Sequence, residues 1–301
     1  MTLGLRPGNP AEPRHNDPGT IAVVGLGRLG SVLADRLAER FPVLLNDSDP
    51  AVARRVAAEL SLPDMDQREI LSAADTVLLC VPPQETAAAL RRLAALTEQV
   101  GRRALFVNMA TSVPTEDLPD LGVEVVGLKP VCQFTAVALG LKTVLVTSAP
   151  RRIGLLRTLA ADLGEVVLGP EACVGPANRA ATKAALRACA ELAAELTGRG
   201  LPTDIVRAAI RNVFVGTALD YPPSDANPYT RSVLEEIAAE AAEAAGTAPP
   251  AADRAPAGPR AAVRPPTVLP PTVLPPTDLV PPDALGWAAW AERPVTPGGP
   301  A

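Results

Sequence analysis

The sequence predicts an α/β protein in which a doubly wound parallel sheet is followed by an all-α region and a proline-rich tail. Two observations predict this order. Short apolar runs alternate with helical patterns from residue 19 to residue 169, which is typical of parallel strands covered by helices on both faces. From residue 170 to residue 246 the patterns are helical throughout, so a second, helical domain is expected there.

The two ends of the 301-residue chain are expected to be disordered. Residues 1–18 form a loose leader rich in proline, glycine and polar residues, and residues 247–301 contain the repeat "PPTVLPPTVLPPTDLVPP". A repeat of this kind favours an extended polyproline spacer. The predicted domains are therefore 1–18, 19–169, 170–246 and 247–301.

Each predicted element has a local signal. The apolar runs that predict strands lie at 21–24, 43–45, 75–81, 104–108, 123–127, 142–148 and 165–169. The patterns that predict helices lie at 28–40, 48–60, 84–99, 151–163, 171–197, 203–219 and 227–246. Ser48 or Asp49 is expected to cap the second of these helices, which has Pro50 in its first turn. Thr203 and Asn227 are the expected caps of the last two.

Composition excludes several functional classes. A net charge of −5 and an isoelectric point near 5.1, without a cluster of Lys and Arg, argue against a nucleic-acid surface. The apolar runs are far shorter than the ~20 residues of a membrane helix. The first twenty residues also lack a secretory signal, so we expect a cytoplasmic protein without membrane contact. The four cysteines are far apart and the single histidine, His15, lies in the leader, so neither a metal site nor histidine catalysis is expected.

A glycine-rich turn follows the first predicted strand. In "IAVVGLGRLG", Gly25, Gly27 and Gly30 fit the pattern G-x-G-x-x-G between a strand and a helix, which is the context of a Rossmann dinucleotide site. The first glycine permits the tight turn, the second lets the backbone approach a diphosphate, and the third packs the helix on the strand. The predicted cofactor-binding turn is completed by Leu26, Arg28 and Leu29.

A polar cluster, "LLNDSDP", falls where the second strand ends. Asn46 or Asp47 can accept hydrogen bonds from the hydroxyls of an adenosine ribose, and Asp47 would repel a 2′-phosphate. The sequence therefore favours NAD(H). NADP(H) stays an alternative because Arg54 and Arg55 on the next helix can reach a phosphate.

Several short motifs carry a resemblance to a known family. They are "VGLGRLG", "CVPP" at 80–83, "NMATSVP" at 108–114, "LKPV" at 128–131, "GPAN" at 175–178 and "GLPTDIVRAAIRNVFVGTA" at 200–218. With these motifs, residues 20–246 resemble the pyrroline-5-carboxylate reductases and, more distantly, the β-hydroxyacid dehydrogenases. The resemblance implies a nicotinamide-dependent reductase of a small imine or keto acid, with helices that interlock into a homodimer. It also implies that Val81, Pro82 and Asn108 lie at the cofactor.

The sequence departs from the reductase pattern at two places. Val174 stands where that family has a substrate-binding serine, and "YPPSDANPYT" at 221–230 replaces a Gly- and Thr-rich substrate loop. The β-hydroxyacid dehydrogenases instead have a catalytic lysine on the long helix, and Lys183 lies near that place. The asparagine that they have four residues later is Arg187 here.

Lysines are the candidate proton donors, because a desolvated ammonium can give up a proton near neutral pH and a guanidinium cannot. Lys129 follows a predicted strand end, and Lys183 lies on the long helix, so either can protonate the atom that gains charge as hydride arrives. Asn178 and Thr182, one helical turn apart, are candidate substrate ligands together with Gln133.

The favoured hypothesis is an NAD(P)H-dependent reductase of a C=N or C=O bond. The alternatives are a β-hydroxyacid dehydrogenase that depends on Lys183, the use of a reduced deazaflavin instead of nicotinamide, and a non-catalytic dinucleotide-binding scaffold. The tail segment "DALGWAAWAE" at 283–292 holds both tryptophans and is a candidate docking peptide for a protein partner.

Overall fold

The main sheet has five parallel strands. The computed structural model describes residues 16–221, 223 and 227–246, so the predictions about His15, the leader before residue 16 and the tail concern residues outside the described ranges. The strands are β1 (Ile21–Val24), β2 (Val43–Asn46), β3 (Thr76–Leu79), β4 (Leu105–Asn108) and β5 (Val125–Gly127). Their order in the sheet is β2-β1-β3-β4-β5, which confirms the predicted doubly wound α/β fold.

Helices cover both faces of this sheet. They are α1 (Arg28–Ala38), α2 (Pro50–Leu60), α3 (Gln67–Ala73) and α4 (Pro83–Val100). Alternate residues of β1 point to opposite faces, so that Ile21 and Val23 pack in one apolar cluster with α1 and α2, whereas Ala22 and Val24 pack in another with α3 and α4. The sheet is therefore buried on both faces, as its continuous apolar strands predict.

Two helix starts show how local sequence sets these elements. The Asp49 side chain accepts a hydrogen bond from the Ala51 amide at 2.8 Å, which confirms one of the two predicted caps of α2. Helix α3 was not among the predicted helices. It begins with a capping box in which the Asp66 carboxylate accepts from the Glu69 amide at 2.8 Å and the Glu69 carboxylate accepts from the Asp66 amide at 2.9 Å.

A second sheet of three strands holds the apolar runs predicted at 142–148 and 165–169. Its strands are β6 (Lys129–Pro130), β7 (Thr143–Thr147) and β8 (Gly164–Leu168), with α5 (Phe134–Ala138) and α6 (Ile153–Ala160) between them. β6 pairs antiparallel with β7, and β7 pairs parallel with β8. These strands form a separate sheet and do not extend the main one.

The rest of the described chain is helical, as predicted. It comprises α7 (Val174–Gly198), α8 (Thr203–Ala208), a π-helical segment (Ala209–Phe214), α9 (Val215–Leu219) and α10 (Pro228–Gly246). The predicted cap at Thr203 is wrong: Pro202 occupies the cap position in an extended conformation, and Thr203 lies inside the first turn. Asn227 accepts from the Tyr229 amide at 3.0 Å, as expected of a cap.

The chain divides into two compact units, Met1–Leu186 and Arg187–Ala301. The division falls inside α7, so this helix contributes to both units. Among the described helices, none combines the length and the apolarity needed to cross a lipid bilayer.

All five strands of the main sheet end in one row. The register pairs Val24 with Asn46 on one side and with Leu79 on the other, Leu79 with Asn108, and Asn108 with Gly127. The loops that follow these residues therefore start at one edge of the sheet. Because β1 lies between β2 and β3, this edge contains the topological switch point where doubly wound sheets bind ligands.

Candidate functional site

The glycine turn lies at the switch point and leaves open space at one glycine only. A Cβ built on Gly25, where φ is +93°, would lie 2.8 Å from the Cys80 carbonyl carbon, and one on Gly30 would lie 1.9 Å from the Gly25 carbonyl oxygen. Packing inside the chain therefore requires both glycines. At Gly27, by contrast, no described heavy atom lies within 4 Å of the Cβ position. The bare backbone at Gly27 faces room that another molecule can fill.

The first turn of α1 is suited to an anion. Gly27 is the cap residue, and among the described residues no side chain caps the helix or places an acidic group in its first turn. The first amides of an α-helix lack partners within the helix, and the helix dipole makes this end positive. The residues present thus fit the diphosphate of a dinucleotide.

Asp47 lies directly against this turn. Its Oδ2 accepts a hydrogen bond from the Leu26 amide at 2.6 Å, and its Oδ1 accepts from the Asp49 amide at 2.9 Å. The side chain is half-buried, so the carboxylate joins the end of β2 to the glycine turn while remaining open to solvent on one side. This is the place expected for the acceptor of an adenosine ribose.

Asn46 is oriented differently. It is buried, its Nδ2 donates to the Met65 carbonyl at 2.7 Å, and its Oδ1 has no hydrogen-bond partner among the described residues. Of the two candidate ribose ligands, Asp47 is therefore the one in contact with the turn.

Two arginines lie on the helices that follow β1 and β2. Arg28, at the start of α1, is exposed and places its guanidinium 5.1 Å from the ring centroid of Phe134 in α5. Arg55 on α2 pairs with Glu59 at 3.0 Å. Leu29 is half-buried beside Arg28.

The loop after β3 supports the turn from the other side. Val81 is half-buried and Pro82 is exposed, and the backbone of Cys80 is the surface that Gly25 approaches. Burial raises the pKa of the Cys80 thiol to about 12, so this thiol stays protonated and unreactive at neutral pH.

Asn108, at the end of β4, organises the loop that follows it. The buried side chain donates to the Val113 carbonyl at 3.0 Å and to Thr115 Oγ1 at 3.2 Å, and accepts from the Ala110 amide at 3.1 Å. Both polar atoms of the amide are therefore engaged within the chain. We interpret Asn108 as shaping the loop at the predicted nicotinamide position.

Lys129 is completely buried. Its Nζ donates to the carbonyls of Asn108 at 3.0 Å and Val113 at 2.9 Å, and lies 3.6 Å from Glu171 Oε2. Burial lowers the pKa of Lys129 to about 8, and the attraction of Glu171 opposes part of this change. With these partners around the ammonium, its role as a proton donor stays a prediction, and its contacts favour a role in holding the loop.

Glu171 was not singled out from the sequence, because one glutamate after a proline carries no distinguishing pattern. It is buried at the start of the long helical segment, accepting from Ser148 Oγ at 2.7 Å and from the Thr115 amide at 2.9 Å. Burial raises the pKa of Glu171, but the hydrogen bonds from Ser148 and Thr115 and the charge of Lys129 outweigh it and lower the pKa overall. Glu171 is therefore ionised at neutral pH.

The candidate residues on α7 lie in the same unit. Asn178 is half-buried and its Nδ2 donates to the Pro130 carbonyl at 3.0 Å; Thr182, one turn later, is also half-buried. Lys183 is exposed, without a hydrogen bond or ion pair to another residue of the described ranges. Gln133 is exposed at the start of α5. The structure thus leaves Lys183 and Gln133 open to solvent and engages Asn178 with the chain.

Residues 16–221, 223 and 227–246 contain no group of three or more His, Cys, Asp or Glu side chains placed to hold a metal ion.

Comparisons with known proteins agree with this geometry. Residues 20–101 match the family model described as NADP oxidoreductase, coenzyme F420-dependent. Its span includes the glycine turn, Asp47 and the loop after β3. No curated protein is similar enough in sequence to be a match.

Solved structures share the fold. A pyrroline-5-carboxylate reductase from Coxiella burnetii has a TM-score of 0.60 at 13% identity, covering 76% of this chain and 92% of its own. The Plasmodium falciparum pyrroline carboxylate reductase with NADP bound has a TM-score of 0.53 at 12% identity, covering 72% and 84%. An imine reductase from a Pseudomonas species has a TM-score of 0.52 at 17% identity, covering 75% and 79%. The predicted resemblance is confirmed at the level of fold.

Proposed function

We propose that the protein is an NAD(P)H-dependent oxidoreductase that reduces the C=N or C=O bond of a small acid or biosynthetic intermediate. One observation carries this proposal: a G-x-G-x-x-G turn at the switch point has open space at Gly27 and an uncapped helix beyond it. The family-model match and the fold shared with pyrroline-5-carboxylate reductases and an imine reductase support the same class of reaction.

Different residues of the chain would bind different parts of the dinucleotide. The amides at the start of α1, from Gly27 to Gly30, would hold the diphosphate, and Asp47 would accept from the adenosine ribose, as its position against the Leu26 amide supports. Val81 and Pro82 would border the cofactor, and the loop shaped by Asn108 would lie at the nicotinamide. When bound, the reduced nicotinamide supplies a hydride.

The substrate is expected to lie between this loop and the start of α7. Asn178, Thr182 and Gln133 are the proposed polar ligands. A proton must reach the nitrogen or oxygen of the reduced bond, and Lys183 is the proposed donor because it follows Thr182 on α7 and its ammonium has no competing partner in the described ranges. Proton transfer from a positioned side chain contributes roughly 10²- to 10⁴-fold to such a rate.

NAD(H) is the favoured cofactor because a 2′-phosphate would approach the Asp47 carboxylate. NADP(H) is the second candidate, supported by the description of the matched family model and by the Plasmodium relative with NADP bound. The same family description names coenzyme F420, which keeps a reduced deazaflavin as the third.

A homodimer is the proposed assembly. Large apolar side chains are exposed on the helices after α7, among them Ile205 at 52%, Val213 at 63% and Leu219 at 57%. Exposed apolar groups of this number are typical of a surface covered by a second subunit. Sedimentation velocity at micromolar concentration measures the assembly directly, and a monomer would contradict the proposal.

Binding and turnover are tested in sequence. Titration calorimetry with NADH and NADPH comes first, followed by an assay of 1-pyrroline-5-carboxylate, other cyclic imines and keto acids at 340 nm. Binding with turnover of an imine is the expected result. Binding of a dinucleotide without turnover of any substrate would favour the scaffold alternative, which the buried Val174 at the serine position supports.

Lys183→Met tests both the proposed proton donor and the β-hydroxyacid dehydrogenase alternative. If Lys183 is the proton donor, kcat falls by roughly 10²-fold or more while the Kd for the dinucleotide is unchanged. Arg179→Met, four residues earlier on the exposed surface of α7, is the matched control and should keep full activity. Full activity of Lys183→Met would exclude the β-hydroxyacid dehydrogenase mechanism.

A further inference from the structure

A buried ion pair lies beside the proposed active site and has no assigned role. Lys129 and Glu171 are both buried, on different elements, and their charged groups lie 3.6 Å apart. Buried charged pairs are rarely the most stabilising choice for an interior, since apolar side chains of similar volume often serve as well. The pair therefore calls for an explanation beyond stability.

The space for the carboxylate is built into the backbone. A Cβ on Gly127, the last residue of β5, would lie 2.1 Å from Glu171 Oε1 and Cδ. Any other residue at this position would displace the carboxylate. The main sheet thus ends in a recess that Glu171 fills.

The pair contacts three other segments: the end of β4, the loop after it and the residue after β7. Lys129 Nζ holds the carbonyl at the end of β4 and the Val113 carbonyl in the loop after it. Glu171 holds the amide of Thr115 at the end of that loop and the hydroxyl of Ser148 after β7. The loop 109–115 is therefore fixed at Val113 and at Thr115 by one pair of opposite charges.

The same pair lies next to the first residues of α7 and helps to hold them in place. Glu171 lies three residues before Val174, the first residue of this helix. Next to it, a Cβ on Gly175 would lie 3.0 Å from the Thr111 carbonyl, so α7 begins in close contact with the loop. Asn178 adds a hydrogen bond to the Pro130 carbonyl one turn later. The start of α7 and the loop 109–115 thus form one packed unit around the ion pair.

We propose that Glu171, acting through Lys129, is a positioning residue that fixes α7 against the loop 109–115 and so sets the distance between the nicotinamide and the substrate. This inference rests on the proposed function, in which the loop borders the nicotinamide and α7 supplies the substrate ligands. A displacement of about 1 Å between reacting groups costs on the order of 10²-fold in rate, whereas binding of the distant diphosphate is indifferent to it.

Two variants of Glu171 separate its charge from its hydrogen bonds. Glu171→Gln keeps an oxygen acceptor for the Thr115 amide and removes the negative charge, while Glu171→Leu removes the acceptors as well. We expect kcat to fall by about 10-fold in the first and about 100-fold in the second, with the Kd for NADH or NADPH within about twofold of the parent. The double variant Lys129→Met with Glu171→Gln should recover part of the loss seen in Glu171→Gln, because no unpaired buried ammonium remains.

A matched control removes a glutamate from an ion pair elsewhere. Glu124 is half-exposed and pairs with Arg152 near the opposite edge of the sheet, so Glu124→Gln should leave kcat and Kd unchanged. A lower melting temperature in the Glu171 variants with wild-type kcat would show a merely structural role and overturn the proposal.

Hydrogen exchange gives a readout that does not need turnover. In the full-length protein, amide exchange of residues 109–115 and 174–182 should rise in both Glu171 variants, while that of β1 and α1 stays as in the parent. Unchanged exchange in those segments would also overturn the proposal. If the parent binds neither NADH nor NADPH, the proposed function fails, and the exchange experiment still decides whether Glu171 holds α7 to the loop.

Discussion

Substitution of Gly27 is expected to remove cofactor binding without changing the fold. The backbone at Gly27 has φ −65° and ψ −168°, which any residue adopts, and no described heavy atom lies within 4 Å of the Cβ position. Because the Cβ of a valine there has room among the described residues, the free energy of unfolding should change by about 0.5 kcal/mol or less. The side chain would instead occupy the room left for the diphosphate.

The loss of binding can be estimated from that geometry. A dinucleotide that must withdraw from the turn loses its hydrogen bonds to the amides of α1, and charge-assisted hydrogen bonds contribute roughly 1.5–3 kcal/mol each. Losing one of them raises the Kd by about 10- to 100-fold. Titration calorimetry measures the Kd, and thermal unfolding monitored by circular dichroism checks the fold.

Gly30→Ala is the contrasting control in the same turn. Its Cβ would lie 1.9 Å from the Gly25 carbonyl oxygen, against 3.4 Å for an ordinary contact, and backbone must shift to relieve the overlap. An overpacked position of this kind costs about 3 kcal/mol, which lowers the melting temperature by roughly 6–12 °C. If Gly27→Val bound both dinucleotides as the parent does, the glycine turn would not be the diphosphate site and the proposed function would fall.

Three other expected outcomes concern pH, the cofactor phosphate and the tail. Because the pKa of Lys129 is about 8 in the folded protein against an ordinary 10.5, the unfolded chain binds more protons between these values. This group therefore makes the folded state more stable as pH rises from about 8 to 10.5, by about 3 kcal/mol in full. Urea unfolding at pH 7, 8.5 and 10 should show that the free energy of unfolding rises with pH in the parent and not in Lys129→Met. An equal dependence of this free energy on pH in both proteins would refute the argument that Lys129 is buried. Asp47→Asn keeps an acceptor for the Leu26 amide and removes the charge, so the ratio of the Kd for NADPH to that for NADH should fall about 5- to 10-fold, and a constant ratio would place the 2′-phosphate elsewhere. Deletion of residues 247–301 should leave kcat unchanged if the tail serves only to dock a partner, and lost turnover would contradict that role.

The glycine turn was readable from the sequence because its constraint is local. Three glycines at fixed spacing, between an apolar run and a helical pattern, determine the backbone of one turn, and the structure places Gly25 and Gly30 where a side chain has no room. Asp49 as the cap of α2 and Asn227 before α10 were readable for the same reason. The π-helical segment at Ala209–Phe214 has no comparable sequence signal.

The burial of Lys129 and Glu171 could not be predicted from the sequence, because it depends on residues that are far apart in the chain. Lys129 looks like a loop lysine in "GLKPVCQF", and only the approach of Glu171, 42 positions later, makes it an interior group. In the sequence, Asn108 likewise looks free to bind a cofactor, but in the structure its side chain donates a hydrogen bond to the Val113 carbonyl. The sequence also could not show that β6, β7 and β8 form a separate sheet, because strand pairing depends on contacts between residues far apart in the chain.

The bond between Asp47 and the Leu26 amide constrains how the cofactor preference of this protein can be re-engineered. Leu26 is 2% exposed, and water has little access to replace a missing acceptor. An Asp47→Arg exchange, designed to attract a 2′-phosphate, would leave the Leu26 amide without a hydrogen-bond acceptor, which costs about 1–3 kcal/mol. A switch toward the phosphorylated dinucleotide therefore needs two coordinated changes. One must supply a positive group that binds the 2′-phosphate, and the other must supply a neutral hydrogen-bond acceptor for the Leu26 amide.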